Sequence, residues 1–336
     1  MRQKFKNVCI VDTPYALLQY LLKIDIAGIE STLFCVGKQL HPDITRQLPH
    51  VKYFGVDDNK WTHFTFRLFF KMKCMWARFL YVRGARIYAQ DHLHFSAQLI
   101  AHDGYTLMED GPYVWKNNKD RLNQKASLYE KIGVFIVYGP VFLKNFGRSS
   151  QCQNRWVSTT VDADIYRQEG VCHERFNVRA LWADASDDRK DMIIRVFGAQ
   201  MFKASTRDLF RNCESMLLTQ PLEATFGLTA DEVFTIYNAA IEKYLDAGVI
   251  IKPHPRDTYD YEKKFPSCKV LRTTVPLQLM CAMGFSPKRA ITLFSGSINE
   301  LPESTDVVWL GTEVNGKLVA ACGHIEPPER CALNLM

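Results

Sequence analysis

Short runs of four or five apolar residues alternate along the chain with stretches whose apolar positions recur at spacings of three and four. The first pattern is that of strands buried on both faces and the second that of amphipathic helices, so the alternation predicts βαβ units built around parallel sheets. In the first half the predicted strands are Val8–Val11, Thr32–Val36, Arg86–Ala89 and Tyr105–Met108, with helical patterns at Tyr15–Ile26, Phe66–Val82 and Leu93–Ala101. A second series begins near Ser215, with strands at Met216–Thr219, Val249–Lys252, Lys269–Leu271, Ala290–Phe294 and Val307–Leu310. Its clearest helix, Ala230–Ala247, opens on the capping box of Thr229 and Glu232 and stops at Gly248. The polar stretch Ser149–Lys190 separates the two series. The expected fold is α/β, with two doubly wound Rossmann-like domains, 1–190 and 191–336, facing each other across a cleft.

Composition narrows the class. The chain has 336 residues, 47% of them hydrophobic and 23% charged, which suits about two globular domains and excludes disordered and fibrous proteins. Ten cysteines without a close CxxC pair read as reduced, mostly buried thiols and not as a disulfide scaffold. Lys4 and Lys6 precede an apolar run that Asp12 cuts short, so no signal peptide is expected, no window is long and apolar enough to span a bilayer, and the expected location is cytoplasmic. The net charge of +6 is concentrated: Arg67, Lys71, Lys73, Arg78, Arg83 and Arg86 lie between Trp61 and Gln90 with no acid among them. Wound as a helix, this stretch gathers Leu68, Phe69, Met72, Met75, Trp76, Phe79 and Leu80 on one arc and Arg67, Lys71 and Arg78 on another. The expected arrangement is an apolar arc in the core beneath a solvated basic face. The alternative is peripheral contact of residues 64–83 with an anionic membrane. No nucleic-acid module is recognisable, and nucleic acid is not an expected partner.

Open α/β sheets bind ligands beyond the carboxyl ends of their strands, and three such places carry chemistry. Glu109-Asp110-Gly111 ends an apolar strand with two acids and a permissive glycine. Neighbouring side chains on a strand point to opposite faces, so one acid enters a ligand site as a general base while the other supports it. The same residues, with Pro112, also read as an ordinary turn. Lys252-Pro253-His254-Pro255-Arg256 closes a buried strand with a histidine held between two prolines and flanked by cations, a site for an anion such as phosphate by hydrogen bonding or by proton transfer. Ser295-Gly296-Ser297 follows a third strand, where backbone amides and hydroxyls cradle anionic oxygens or simply form a turn. There is no GxGxxG after the first strand, no GxxxxGK[ST] and no GxSxG elbow. His92, His94 and His102 sit in or beside the Leu93–Ala101 helical pattern without a shared face, so no metal site is expected.

In this order, the acidic pair with glycine, the Lys-Pro-His-Pro and the Phe-Ser-Gly-Ser resemble the motif set of bacterial sialyltransferases of the GT-B type. The resemblance is strongest to glycosyltransferase family 52, which includes lipooligosaccharide sialyltransferases, and extends from Val8 to about Leu310. Leu217-Leu218-Thr219-Gln220-Pro221 is similar to a further family loop bordering the nucleotide. The resemblance implies an inverting, metal-independent, cofactor-free transfer of sialic acid from CMP-sialic acid to a galactose-containing acceptor of a lipooligosaccharide or capsule. Its implied partners are therefore a nucleotide-sugar donor and a glycan or glycolipid acceptor, with a homodimer left open. It implies Asp110, His254, Glu109 and Glu223 as catalytic candidates. The implied nucleotide-binding residues are Lys252, Pro255, Arg256, Ser295, Gly296, Ser297 and Gln220. Thr13, Tyr15, Gln90 and Asp91 are the candidates for the acceptor in the first domain. Where some relatives carry a catalytic aspartate after the loop proline, Leu222 follows Pro221 here, so the base stays open between Asp110 and Glu223. Asp110 is preferred because its strand end should project it toward the cleft. Family members assigned to glucosyl transfer keep a glucosyltransferase open, and a polyol-phosphate transferase or a non-catalytic nucleotide-binding protein are further alternatives.

Overall fold

The structure, a computed structural model, describes residues 5–56, 64–110, 146–159, 172–200, 202, 213–244, 248–327 and 331. The chain divides into two compact units, 1–198 and 199–336, each with its own core. In the first unit, β1 (Asn7–Val11), β2 (Thr32–Val36), β3 (Val51–Tyr53), β4 (Arg86–Ala89), β5 (Tyr105–Leu107), β6 (Cys152–Ser158) and β7 (Cys172–Phe176) form one sheet in the order β3-β2-β1-β4-β5-β6-β7. Every neighbouring pair in it is parallel. The second unit repeats the logic with β8 (Ser215–Leu218), β9 (Val249–Lys252), β10 (Lys269–Val270), β11 (Arg289–Thr292) and β12 (Asp306–Trp309), in the order β10-β9-β8-β11-β12 and again all parallel. Both are doubly wound sheets. In each, the chain turns back between the first and fourth strands of the unit, the switch point at which such sheets open a crevice for ligands.

Burial explains the central strands. β1, β2, β8 and β9 are buried at every position, as strands covered by helices on both faces must be. The pattern expected for Tyr15–Ile26 resolves into two helices, Pro14–Lys23 and Ile26–Glu30, because Asp25 starts a new one by accepting from Gly28 N at 2.6 Å. The Ala230–Tyr244 helix opens on the expected capping box: Thr229 N donates to Glu232 Oε2 at 2.7 Å and Glu232 N to Thr229 Oγ1 at 3.3 Å. Gly248 has the positive φ of 84° that favours glycine, whereas residues 245–247 at the expected helix end lie outside the described residues.

Two expectations require correction. The polar stretch Ser149–Lys190 is no separator: its described residues supply β6, β7 and the helix Val178–Asp184 to the first unit. The helix Asp187–Val196, which a boundary at 190 would divide, belongs there too, with Arg189 donating to the Leu22 carbonyl at 2.9 Å. Second, the helix Phe64–Ala77 and the π-helical turn Arg78–Val82 that extends it do not bury the apolar arc expected to face the core. Phe70, Cys74 and Val82 enter the core, while Leu68, Phe69, Met72, Met75, Trp76 and Phe79 are exposed. No helix among the described residues is long and apolar enough to cross a membrane.

Candidate active site

In the first unit, the residues that follow β1, β4 and β5 meet at the carboxyl edge of the sheet. Gln90, fully buried after β4, ties them together. Its Oε1 accepts from Asp12 N at 2.6 Å and Thr13 N at 3.3 Å, and its Nε2 donates to Thr13 Oγ1 at 3.0 Å and to Asp110 Oδ1. The other Asp110 oxygen lies 3.5 Å from His92 Nε2, and the His92 ring stacks on Phe146 at 5.0 Å between centroids. Asp110 keeps 25% of its side chain exposed. It is thus the accessible acid among the described residues of this edge.

Its neighbours are structural by comparison. Glu109 is fully buried, its carboxylate accepting from Ser158 N at 3.1 Å and from the Tyr15 hydroxyl at 3.4 Å, its backbone bracketed by the Gln19 amide at 2.9 and 3.2 Å. Asp91 is also fully buried and accepts from Tyr105 Oη at 2.6 Å, Phe146 N at 2.8 Å and Gly147 N at 2.7 Å. Burial raises the Asp91 pKa, and the three donors pull the other way or hold the ion in place. Of the four residues expected at the acceptor, Thr13 caps the helix Pro14–Lys23, Tyr15 and Gln90 support Glu109 and Asp110, and Asp91 anchors the backbone at Phe146 and Gly147.

Asp12 and His92 were not among the expected site residues. Asp12 accepts from Gln39 N at 2.8 Å, and its pKa is pushed up to about 6, first by burial and then by the negative charge of Asp110. Gly37 makes room for it, since a Cβ there would stand 2.3 Å from the Asp12 carboxylate. The signal was available in the sequence, because Asp12 directly follows the buried run Val8–Val11 and His92 follows β4 by three residues.

In the second unit, the ends of the adjacent strands β9, β8 and β11 carry the expected nucleotide-binding residues. Lys252, Leu218 and Thr292 are in register across these strands. Ser295 N donates to Thr292 Oγ1 at 3.1 Å, which donates to the Leu218 carbonyl at 3.2 Å, and His254 N donates to Thr219 Oγ1 at 3.2 Å. Thr219 is fixed in turn by donating to Asp257 Oδ2 at 2.9 Å, where Tyr261 Oη also donates at 2.7 Å. The loop from Pro253 to Asp257 therefore stands on a buried network of Thr219, Asp257 and Tyr261, and short sequence motifs carry no sign of it.

His254 Nδ1 accepts from Arg256 N at 3.1 Å, so the neutral ring carries its proton on Nε2. Burial, with the cations Arg256 and Lys252 nearby, lowers its pKa to about 4. The imidazole is therefore a neutral hydrogen-bond donor near pH 7. Lys252 is only 7% exposed, and burial lowers its pKa to about 8. Its ammonium has no hydrogen-bond or ion-pair partner among the described residues. Pro255 and Arg256 are exposed, Ser295 Oγ lies 2.7 Å from Ser297 Oγ, and Gly296 begins a 3₁₀ turn. Gln220 is held through its backbone, its N–H donating to Tyr237 Oη at 2.8 Å. Glu223, in the first turn of the helix Leu222–Phe226, is half-buried and makes no side-chain hydrogen bond among the described residues. Gly111 lies outside the described residues. Among the described residues, no three His, Cys, Asp or Glu side chains group as a metal site.

The model of glycosyltransferase family 52 matches residues 58–314, most of the chain and nearly all of these positions. The chain belongs to glycosyltransferase family 52. This glycosyltransferase is 29% identical over 242 residues to an uncharacterized protein of Haemophilus influenzae, spanning 71% of this chain and 72% of that one. Among solved structures it is similar to a 2,6-sialyltransferase from a Photobacterium of the Vibrionaceae, in ternary complex with CMP and lactose, with a TM-score of 0.56, 11% identity and coverage of 94% and 75%. The GT-B domain of a Photobacterium damselae sialyltransferase matches with a TM-score of 0.51, 12% identity and coverage of 90% and 89%. A Methanocaldococcus jannaschii UDP-GlcNAc 2-epimerase matches with a TM-score of 0.54, 12% identity and coverage of 99% and 98%. At these identities the likeness is one of fold, and the glycosyltransferase has the GT-B fold class, mixed α/β with parallel sheets.

Proposed function

We propose that the chain is an inverting, metal-independent sialyltransferase that moves sialic acid from CMP-sialic acid to a galactose-containing acceptor of a surface glycan. The observation that carries the reading is the group of anion-seeking residues at the carboxyl edge of the second unit: the buried ammonium of Lys252, without a partner among the described residues, the neutral donor His254 and the two serines on the next strand but one. A nucleotide phosphate supplies the counter-charge that the described residues do not give Lys252. The resemblance of the motifs, family membership, and a solved sialyltransferase of the same fold bound to CMP and lactose support the donor and acceptor classes.

The roles follow from the chemistry. In the first unit, Asp110, oriented by Gln90, takes the proton of the acceptor hydroxyl as its oxygen bonds to the anomeric carbon. The bond from that carbon to the phosphate oxygen breaks with inversion, CMP leaves with the electron pair, and the sugar passes through an oxocarbenium-like transition state. Charge grows on the departing phosphate, where Lys252 and the Nε2–H of His254 stabilise it more than they stabilise the ground state. Arg256, Pro255, Gln220 and Ser295–Ser297 border the nucleotide. Thr13, Tyr15, Gln90 and Asp91 shape the acceptor side, Gln90 and Asp91 by holding its loops. Glu109 supports the strand end, and Glu223 is the reserve candidate for the base. Cationic and donor side chains do here what a divalent cation does in many nucleotide-sugar enzymes.

The test is a donor panel: hydrolysis and transfer to lactose measured with CMP-sialic acid, UDP-sugars and CDP-polyols. Turnover confined to CMP-sialic acid is expected. Preference for a UDP-sugar or CDP-polyol would reassign the donor, and CMP binding without transfer to any acceptor would make the chain a non-catalytic nucleotide-binding protein.

A further inference from the structure

The helix Phe64–Ala77 and its π-helical continuation carry two apolar faces. Phe70 and Cys74 point into the core of the first unit, and Phe66 and Ala77 pack against it. The other face points away from it: Leu68, Phe69, Met72, Met75, Trp76 and Phe79 recur at helical spacing and are between 46% and 69% exposed, with Phe69, Trp76 and Met72 each above 60%. Monomeric proteins rarely leave so many large apolar side chains contiguous and in water, so this face has a partner.

The charges around the face say which. Along the helix, Arg67 and Lys71 flank the outward face on one side, and exposed Arg83 and Arg86 follow the π turn. Lys73, on the other side, is held by the fold, donating to the Tyr53 carbonyl at 3.4 Å and lying over the Phe54 ring. Arg78 is spent within the fold, on Asp103 at 2.7 Å. No acid occurs from residue 61 to residue 90, so this rim offers no complementary charges of the kind that a second copy of the same surface would need. An outward stripe of Phe, Met, Leu and Trp bordered by lysine and arginine matches a helix that lies in a lipid interface, with tryptophan at headgroup depth and the cations on anionic headgroups.

We propose that the outward face of residues 64–83 docks on an anionic phospholipid bilayer, with Phe69 and Trp76 inserted and Arg83 and Arg86 at the headgroups. The topology gives this a use. The helix leads into β4 and runs opposite to it, so its first turn stands at the carboxyl edge of the sheet, the edge that carries Asp110. Docking in this orientation presents that edge to substrates anchored in the same bilayer.

The experiment measures sedimentation of the full chain with phosphatidylcholine vesicles and with vesicles containing about a third phosphatidylglycerol, at low and high salt. Binding should require the anionic lipid and weaken with salt. Arg83→Gln should reduce partitioning about fivefold, the equivalent of ~1 kcal/mol per charge near the surface. The pair Phe69→Ser and Trp76→Ser should reduce it on the order of a hundredfold, as expected from two large apolar side chains returned to water. Circular dichroism should match the parent in both variants, and it and the vesicle binding can be read whether or not the donor assignment of the proposed function holds. Brominated lipid should quench the parent more than Trp76→Phe. Equal binding to neutral vesicles, no binding at all, or a dimer in solution that the Phe69/Trp76 pair abolishes would each overturn the proposal.

Discussion

Lys252 offers the sharpest test of the second unit, because its substitution should move stability and affinity in opposite directions. Its side chain sits at the end of β9, 7% exposed and without a partner among the described residues. Burial lowers its pKa from 10.5 to about 8, which corresponds to a cost of about 3 kcal/mol for holding the ammonium in the fold. The unfolded chain binds the proton more tightly than the folded one, so the cost is complete below pH 8 and fades as pH rises toward 10.5. Lys252→Met conserves length and removes the charge. At pH 7 it should raise the unfolding free energy by roughly 1–3 kcal/mol and the melting temperature of the second unit by several degrees, with the gap over the parent narrowing steadily above pH 8. The same change should weaken CMP binding roughly 10–100-fold, the ~1.5–3 kcal/mol of a hydrogen bond to a charged group. Urea unfolding from pH 7 to 10 and calorimetric titration with CMP read the two effects. A variant no more stable than the parent at pH 7 would remove the unpaired ammonium from the account, and an unchanged CMP affinity would remove Lys252 from the nucleotide site.

Two further predictions concern proton chemistry. Asp110→Asn should cut turnover by roughly 10²–10⁴ with CMP affinity nearly unchanged, and Glu223→Gln should leave turnover within a few-fold; the reverse outcome in single-turnover assays would move the base to Glu223. The His254 ring, neutral down to about pH 4, should show no NMR titration between pH 7.5 and 5 and should report its proton on Nε2; a midpoint near 6.5 would restore it as a proton donor.

Much of this arrangement was legible in the chain because parallel strands buried on both faces are written as unbroken apolar runs. β1, β2, β8, β9 and β11 all announce themselves this way, and the residues just beyond them include most of the candidate site. β7 was not legible: it is an edge strand, exposed at Cys172, Glu174 and Arg175, and composition cannot separate that from a loop. β6 was hidden by Arg155, a charged residue that is buried because its guanidinium donates to the Gly147 carbonyl, a partner eight residues away that no local pattern reveals. The helix at 64–77 failed differently. Periodicity fixed which residues share a stripe but not which way the stripe faces, and the sparser set Phe66, Phe70, Cys74 and Ala77 took the core. At the site, sequence reading named Asp110 and His254, and Gln90 as an acceptor candidate, but not that the Gln90 amide orients Asp110 or that the Asp257 carboxylate underlies the His254 loop, since a supporting role needs no recognisable neighbours in sequence.

The bond from the Arg256 amide to His254 Nδ1 bears on how this loop can drift over generations. The imidazole's tautomer is fixed by main chain, so nineteen of the twenty residue types at position 256 keep it, whatever their side chains. Proline alone lacks the N–H. As far as the tautomer goes, position 256 is thus open to wide variation with one forbidden letter, even though it stands beside a proline that belongs to the motif itself.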